Sequence, residues 1–312
     1  MKKYFLLILP LLWQFGLGWA QESPMKAYPF EPKELEIGDS LTLSYVETGE
    51  GEETILFLHG LGSYLPVWKK NLADLAQNYR CIALDLPGHG LSSKDEYDYS
   101  MAFFARSLEA FLQEKTLDKV HLIGHSMGGQ IALTFALAHP EKVNQMVLLA
   151  PAGLEVFSED QGNLMKTFVT SQSIKNTSAQ KAESNLASNF YQKKLPSDAA
   201  FMLEDRLAMK DNPDYDGYAR AISLSVAGMI DGPVFSRLNE VKAPVLILFG
   251  KDDQLIPNRY FNPGLSLDKL GEQATEALPN SRFELIEEAG HMLAFEQAEK
   301  VNALIRDFLQ KK

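Results

Sequence analysis

Residues 120–133 have the sequence Val120-His121-Leu122-Ile123-Gly124-His125-Ser126-Met127-Gly128-Gly129-Gln130-Ile131-Ala132-Leu133. This pattern predicts a short apolar strand, an abrupt turn with a hydroxyl at its apex, and a helix that begins with small residues. The Gly-x-Ser-x-Gly spacing of Gly124, Ser126 and Gly128 is typical of an elbow that holds a nucleophile in strained backbone, where small residues let strand and helix approach closely. The start of the helix would aim free N–H groups and a positive dipole end at the same point, so an oxyanion beside Ser126 would be stabilised.

A chance match is the alternative interpretation of this elbow, because Gly-x-Ser-x-Gly is common as an isolated pentapeptide. An apolar strand pattern precedes the motif and a helical pattern follows it. This context favours the elbow over the chance match.

Composition limits the architecture and the partners. The chain has 312 residues, 46% of them hydrophobic, which favours one large α/β domain with an inserted subdomain over two independent domains. Its formal net charge is −11. An acidic chain without a basic run is a poor candidate for binding nucleic acid or anionic membrane surfaces. The composition does not indicate an oligomeric state.

Residues 1–20 have the pattern of a secretory signal peptide: two lysines, an apolar run, and small residues at the end. We therefore expect an exported protein, periplasmic or extracellular, with no stable membrane span once the leader is removed. An uncleaved N-terminal anchor is the alternative, although Pro10, Gln14 and Gly16 interrupt a run that is already short for a span. Cys81, the single cysteine, lies in an apolar strand pattern, and we interpret it as a buried packing residue.

Strand and helix patterns alternate along most of the chain. An early antiparallel strand is predicted at 41–46, after a polar, mobile lead-in over 21–38. The continuous apolar run at 54–58 predicts a buried strand, and further strands are predicted at 81–84, 143–149, 243–250 and 282–286. The alternation predicts a doubly wound, mostly parallel α/β sheet with right-handed crossovers. Between 154 and 239 the sequence is polar and has a helical pattern. This predicts an inserted helical cap that divides the core into 21–153 and 240–312.

Glycine-rich and acidic loops follow the predicted strands. The sequence His59-Gly60-Leu61-Gly62 forms a bend that would bring the Leu61 N–H toward the serine, although an ordinary strand-to-helix turn is the alternative. Asp85 and His89 lie among turn residues, and we expect structural roles for both, because a buried aspartate commonly holds a tight loop by accepting backbone N–H bonds.

A serine hydroxyl needs a base within hydrogen-bond reach and a third group that orients the base. Of the six histidines, His291 alone follows the last strand and precedes the last helix, at the edge where loops gather. His125 belongs to the elbow, and His59 and His89 could line a pocket. His121 lies in a strand and His139 ends a helix.

Five anchors in this order resemble the α/β-hydrolase fold superfamily in its capped branch: His59-Gly60-Leu61-Gly62, Asp85-Leu86-Pro87-Gly88-His89-Gly90, Gly124-His125-Ser126-Met127-Gly128-Gly129, Gly250-Lys251-Asp252-Asp253 and Gly290-His291. The resemblance covers nearly everything after the leader except the cap. It implies Ser126 as nucleophile, His291 as base and then acid, and Asp253 as the residue that orients His291. It also implies an oxyanion hole from the backbone N–H groups of Leu61 and Met127.

The resemblance also favours Asp253 over its neighbour Asp252, because the family spacing is Gly-x-x-Asp counted from Gly250. Adjacent residues of an extended loop point in different directions, so only one of them can meet the imidazole. Glu155 is a remote third option. His59, Gly60 and His125 are candidates for the substrate pocket.

The serine at the elbow disfavours haloalkane dehalogenases and epoxide hydrolases, since relatives with those activities carry an aspartate there. The implied reaction is acyl transfer on a small-molecule ester or acyl substrate, in an esterase-like or lipase-like serine hydrolase without metal or cofactor. Two alternatives stay open: a carbon–carbon bond hydrolase of the same fold, and a hydrolase-like receptor with little turnover. The predicted export favours esters.

Overall fold

The computed structural model describes residues 28–38 and 40–311 of the chain. Within these two ranges, eight strands form one sheet in the order β1-β2-β4-β3-β5-β6-β7-β8. The predicted fold class, a doubly wound and mostly parallel α/β sheet, is confirmed. The strands are β1 (Lys33–Ile37), β2 (Leu41–Thr48), β3 (Thr54–Leu58), β4 (Arg80–Leu84), β5 (Val120–His125), β6 (Val143–Leu149), β7 (Val245–Gly250) and β8 (Ser281–Ile286).

The six strands from β3 to β8 run parallel, whereas β2 pairs antiparallel with β4. Every residue of β3, β5 and β7 is buried, as expected for apolar runs covered by helices on both faces. Because these strands are parallel, their carboxyl ends lie at one edge, and Leu58 of β3 stands in register with Gly124 of β5. The loops after β3, β5, β7 and β8 therefore leave the sheet on the same side.

The expected mobile lead-in is wrong for its last part. Residues Lys33–Ile37 form β1, an edge strand that pairs antiparallel with β2. Leu35 and Ile37 alternate with glutamates and pack against the core, which stabilises an otherwise exposed strand. The predicted signal peptide at 1–20 lies outside the described residues.

In the part of the chain that the structure describes, eleven α-helices accompany the sheet. Ser100 caps α2, its side chain accepting a hydrogen bond from the Phe103 N–H. The last two helices, α10 and α11, are separated by Gln297 alone. The helices are α1 (Lys69–Leu75), α2 (Met101–Glu114), α3 (Met127–Ala138), α4 (Glu159–Phe168), α5 (Ser171–Lys175), α6 (Ala179–Ala187), α7 (Ala200–Ala208), α8 (Tyr215–Asp231), α9 (Leu267–Ala277), α10 (Leu293–Glu296) and α11 (Ala298–Leu309).

Helices α4 to α8 follow one another between β6 and β7. Both α4 and α5 pack on α8, the longest of the five. The polar segment 154–239 thus contains helices and no strand within the described residues, and we refer to it as the cap. Among those residues, no helix is both long enough and apolar enough to cross a membrane. Cys81 is buried in β4, where burial raises the pKa of its thiol to about 12, so its predicted packing role is confirmed.

Gly128 allows α3 to approach β3, and this contact gives a testable prediction. A Cβ at Gly128 would lie 2.2 Å from the Leu58 carbonyl oxygen and 2.7 Å from that of His59. Since both neighbours are backbone atoms, Gly128→Ala is expected to lower the free energy of unfolding by about 1–3 kcal/mol. Gly264→Ala is the control, because a Cβ there meets nothing within 4 Å. Equal midpoints for the two variants in urea unfolding would contradict this packing.

Candidate active site

Ser126 occupies the turn between β5 and α3 with φ 53° and ψ −119°. Its N–H donates to the Leu149 carbonyl over 3.0 Å, and its own carbonyl accepts from Gly129 at 2.9 Å and Ala152 at 3.0 Å. Such left-handed backbone costs a non-glycine residue about 1–3 kcal/mol and persists only where the surroundings hold it. The strained elbow predicted from the Gly-x-Ser-x-Gly motif is present.

The loop after β3 contacts the elbow. A Cβ built on Gly60 would lie 3.1 Å from the Ser126 Cβ, so this loop passes directly beside the serine. Leu61 follows in the same loop, and Met127 is the first residue of α3. The N–H of a first helical residue has no acceptor within its own helix. The two predicted oxyanion donors therefore belong to segments that adjoin Ser126.

Asp253 and His291 form a buried hydrogen-bonded pair. The His291 Nδ1–H donates to Asp253 Oδ2 over 2.8 Å, and both residues are less than 5% exposed. The other carboxylate oxygen accepts the N–H groups of Leu255 at 2.8 Å and Ile256 at 3.1 Å. With its proton on Nδ1, a neutral imidazole keeps the Nε2 lone pair for accepting a proton. The structure thus brings Asp253, and not its neighbour Asp252, to His291.

Glu155, the third option for orienting the histidine, has a different role. Its Oε1 accepts hydrogen bonds from the Asn258 N–H at 2.7 Å and from the Asn262 side chain at 2.9 Å. It joins the start of the cap to the loop that follows Asp253. Burial raises the pKa of this carboxyl.

His125 connects the elbow to the histidine loop. Its Nε2–H donates to the His291 carbonyl over 2.9 Å, which fixes its neutral tautomer because a carbonyl can only accept. Burial, aided by the neighbouring His291, lowers the pKa of His125 to about 3. His125 is therefore neutral at pH 7 and lies beside Ser126 without titrating.

His59 does not line the cavity, so its prediction as a pocket residue is wrong. The side chain is fully buried, with Nδ1–H donating to the Gly60 carbonyl at 2.8 Å and Nε2 accepting from the Leu86 N–H at 3.0 Å. Gly60 and His125, the other two candidates, do line it. The neighbouring Asp85 accepts the N–H groups of Leu65 and Leu91, as expected for a loop-holding carboxylate.

A cavity of about 1170 Å³ lies between the carboxyl end of the sheet and the cap. Ser126 and His291 both line it from below. Ligand pockets usually measure about 300–1,000 Å³, so the chamber can hold more than a short ester. The cap contributes large apolar side chains to its wall, among them Phe157, Met165, Leu186, Met202, Met209, Val226, Met229 and Ile230.

Charged cap residues also reach this cavity, and the sequence offered no signal for them. Arg206 lines the wall and donates to the Gly62 carbonyl over 2.9 Å. Lys166 lines it as well and pairs with Asp231 at 2.8 Å. No group of three histidine, cysteine or carboxylate side chains in the described part of the chain is arranged to hold a metal ion.

Buried histidines near the site predict acid sensitivity. Burial lowers the pKa of His89 to about 4, below the usual 6.5, and lowers those of His59 and His125 as well. As the pH falls below about 6.5 the unfolded chain binds protons that the folded chain does not, so His89 alone lowers the free energy of unfolding by about 2 kcal/mol between pH 7 and 5. Between pH 7 and 5, the free energy of unfolding measured in urea should fall by about 2 kcal/mol less for His89→Asn than for the parent protein. An identical pH slope in the two proteins would contradict this.

Comparison with known proteins agrees with the observed fold. A family model described as alpha/beta hydrolase fold matches residues 53–298. The chain is 31% identical over 276 residues to the dihydrolipoyllysine-residue acetyltransferase component of the acetoin cleaving system of Cupriavidus necator, covering 87% of this chain and 67% of that protein. It is 30% identical over 285 residues to the 2-hydroxy-6-oxononadienedioate/2-hydroxy-6-oxononatrienedioate hydrolase 1 of Dechloromonas aromatica, covering 86% and 91%. The crystal structure of a probable hydrolytic enzyme from Pseudomonas aeruginosa superposes with a TM-score of 0.79 at 24% identity, covering 91% and 95%.

Proposed function

This chain belongs to the alpha/beta hydrolase fold family, and on that premise we propose that it cleaves carboxylic esters through an acyl-enzyme on Ser126. One observation carries the proposal. The hydrogen-bonded pair of Asp253 and His291 stands at the cavity that Ser126 also lines. A hydroxyl at a strained turn, an imidazole with a free Nε2 and a buried carboxylate are the parts that nucleophilic acyl transfer requires.

In the first half of the reaction, Ser126 Oγ bonds to the ester carbonyl carbon while His291 Nε2 takes the hydroxyl proton. Asp253 keeps Nδ1 protonated and stabilises the imidazolium. The carbonyl oxygen becomes an oxyanion that accepts hydrogen bonds from the N–H groups of Leu61 and Met127. Each such donor is worth about 10²–10³ in rate.

In the second half, the tetrahedral intermediate collapses and the imidazolium of His291 gives its proton to the departing alcohol oxygen. Water then attacks the acyl carbonyl, with His291 accepting one of its protons. Release of the carboxylic acid returns the proton to Ser126 and restores the starting state. The scheme uses only these three side chains, the two backbone donors and one water molecule.

A second candidate function is hydrolysis of a 2-hydroxy-6-oxo-dienedioate, supported by the name of the Dechloromonas aromatica relative. Such a substrate carries two carboxylates, and Arg206 and Lys166 reach the cavity wall. The large apolar side chains of the cap lining favour the ester instead, because a dianion beside them loses more of its solvation.

A substrate panel separates these functions. The purified protein is assayed with p-nitrophenyl esters from acetate to palmitate and with a 2-hydroxy-6-oxo-dienedioate. The ester proposal predicts a higher kcat/KM for at least one ester than for the dioate. The reverse order would favour the second candidate, and tight binding of an ester without turnover would indicate a receptor.

We also propose that the protein is exported, on the pattern of residues 1–20. Cell fractionation with mass spectrometry of the N-terminus tests this. Processing after Ala20 with recovery outside the cytoplasm is the expected result. An intact leader in the membrane fraction would indicate the anchored alternative.

A further inference from the structure

The peptide of His291 is held on three sides. The preceding Gly290 donates its N–H to Glu296 Oε2 over 2.8 Å, and the following Met292 donates to the Asn189 carbonyl over 3.1 Å. The carbonyl of His291 itself accepts from His125 Nε2 over 2.9 Å. The position of the imidazole therefore depends on contacts with the elbow, with the cap and with one carboxylate.

That carboxylate, Glu296, binds the core and the cap simultaneously. While Oε2 accepts from Gly290, Oε1 accepts the N–H of cap residue Tyr191 over 2.6 Å. The two segments are in direct contact, since a Cβ on Gly290 would lie 2.7 Å from the Asn189 carbonyl oxygen. Asn189 also lines the cavity. A continuous set of contacts thus runs from the substrate chamber through the cap to the loop of His291.

We propose that Glu296 is a positioning residue that sets the alignment of His291 by joining its loop to cap residues 189–191; this rests on the proposed function. Each carboxylate oxygen accepts a hydrogen bond from a backbone N–H. A donor group in place of either oxygen could not make that bond. A glutamine at this position keeps the shape but offers one acceptor and one NH₂. Its NH₂ would face an N–H group, so one side of the junction would open.

The test compares Glu296→Gln with Glu287→Gln. Glu287 is an exposed glutamate that directly follows β8 and pairs with Lys251. The rate constant for fluorophosphonate labelling of Ser126 reports the alignment of base and nucleophile. The endpoint of labelling reports the folded fraction. For Glu296→Gln we expect the labelling rate constant and kcat each to fall by about tenfold or more. The endpoint of labelling should be unchanged, and KM should change little. Glu287→Gln should match the parent.

The outcomes distinguish a failure of the positioning role from a failure of the proposed ester hydrolysis. Equal labelling rates in both variants, or a slower rate that only follows a lower endpoint, would overturn the positioning role alone. Failure of the parent protein to be labelled at Ser126 would overturn the proposed function and the positioning role with it.

Discussion

Ser126→Ala is expected to lower kcat for the best ester by about 10⁵–10⁶-fold, because no other group can form the acyl-enzyme. The fold should be unaffected, since the Ser126 side chain makes no capping hydrogen bond to α3. Steady-state kinetics on the substrate panel, with the folded state checked by circular dichroism, measure both effects. Loss of activity by less than tenfold would show that the nucleophile lies elsewhere.

Ser126→Gly is the matched control for this variant. It removes the same hydroxyl but also relieves the left-handed backbone at φ 53°. We expect it to be as inactive as Ser126→Ala and more stable than it by about 1 kcal/mol. Activity would thus be lost irrespective of the change in stability. A glycine variant no more stable than the alanine variant would mean that the turn is not strained.

Asp253→Asn is expected to lower kcat by about 10⁴-fold. The asparagine oxygen can still accept the N–H groups of Leu255 and Ile256, so its NH₂ then faces Nδ1 of His291. The imidazole must carry its proton on Nε2 in that arrangement and cannot accept one from Ser126.

Asp252→Asn is the control for this substitution, since Asp252 is the adjacent carboxylate in the same loop. Its kcat should stay within a few-fold of the parent value, and pH–rate profiles of both variants measure the difference. Equal losses in the two variants would contradict the assignment of Asp253.

The sheet was largely predictable because most residues of its buried parallel strands are apolar. The runs at 54–58 and 143–149 have the same bounds as β3 and β6. The edge strand β1 was missed because its alternating glutamates resemble a polar lead-in, and only pairing with β2 makes the backbone extended. Propensity carries little information for such an edge.

The elbow at Ser126 was predictable for a different reason. A strained turn requires glycines at fixed offsets from Ser126, and such a requirement leaves a local pattern. The contacts of Glu296 with Gly290 and Tyr191 leave none, because backbone N–H groups are the same in every residue. His59 was misassigned because its two hydrogen bonds turn it into the protein interior, which sequence position does not reveal.

Cavity lining was the least predictable property. Met165 and Met229 reach the chamber, whereas Phe168 is exposed to solvent, although the three look alike in sequence. Which face of a cap helix points inward depends on how α4 and α5 pack on α8, and that packing involves segments distant in the chain.

Labelling with a fluorophosphonate probe followed by tryptic mass spectrometry identifies the nucleophile without reference to any substrate. Ser126 is the one serine in the tryptic peptide Val120–Lys142. We expect a single adduct, on that peptide, which disappears in Ser126→Ala and forms much more slowly in Asp253→Asn. An adduct on a different peptide, or one that still forms in Ser126→Ala, would show that Ser126 is not the nucleophile.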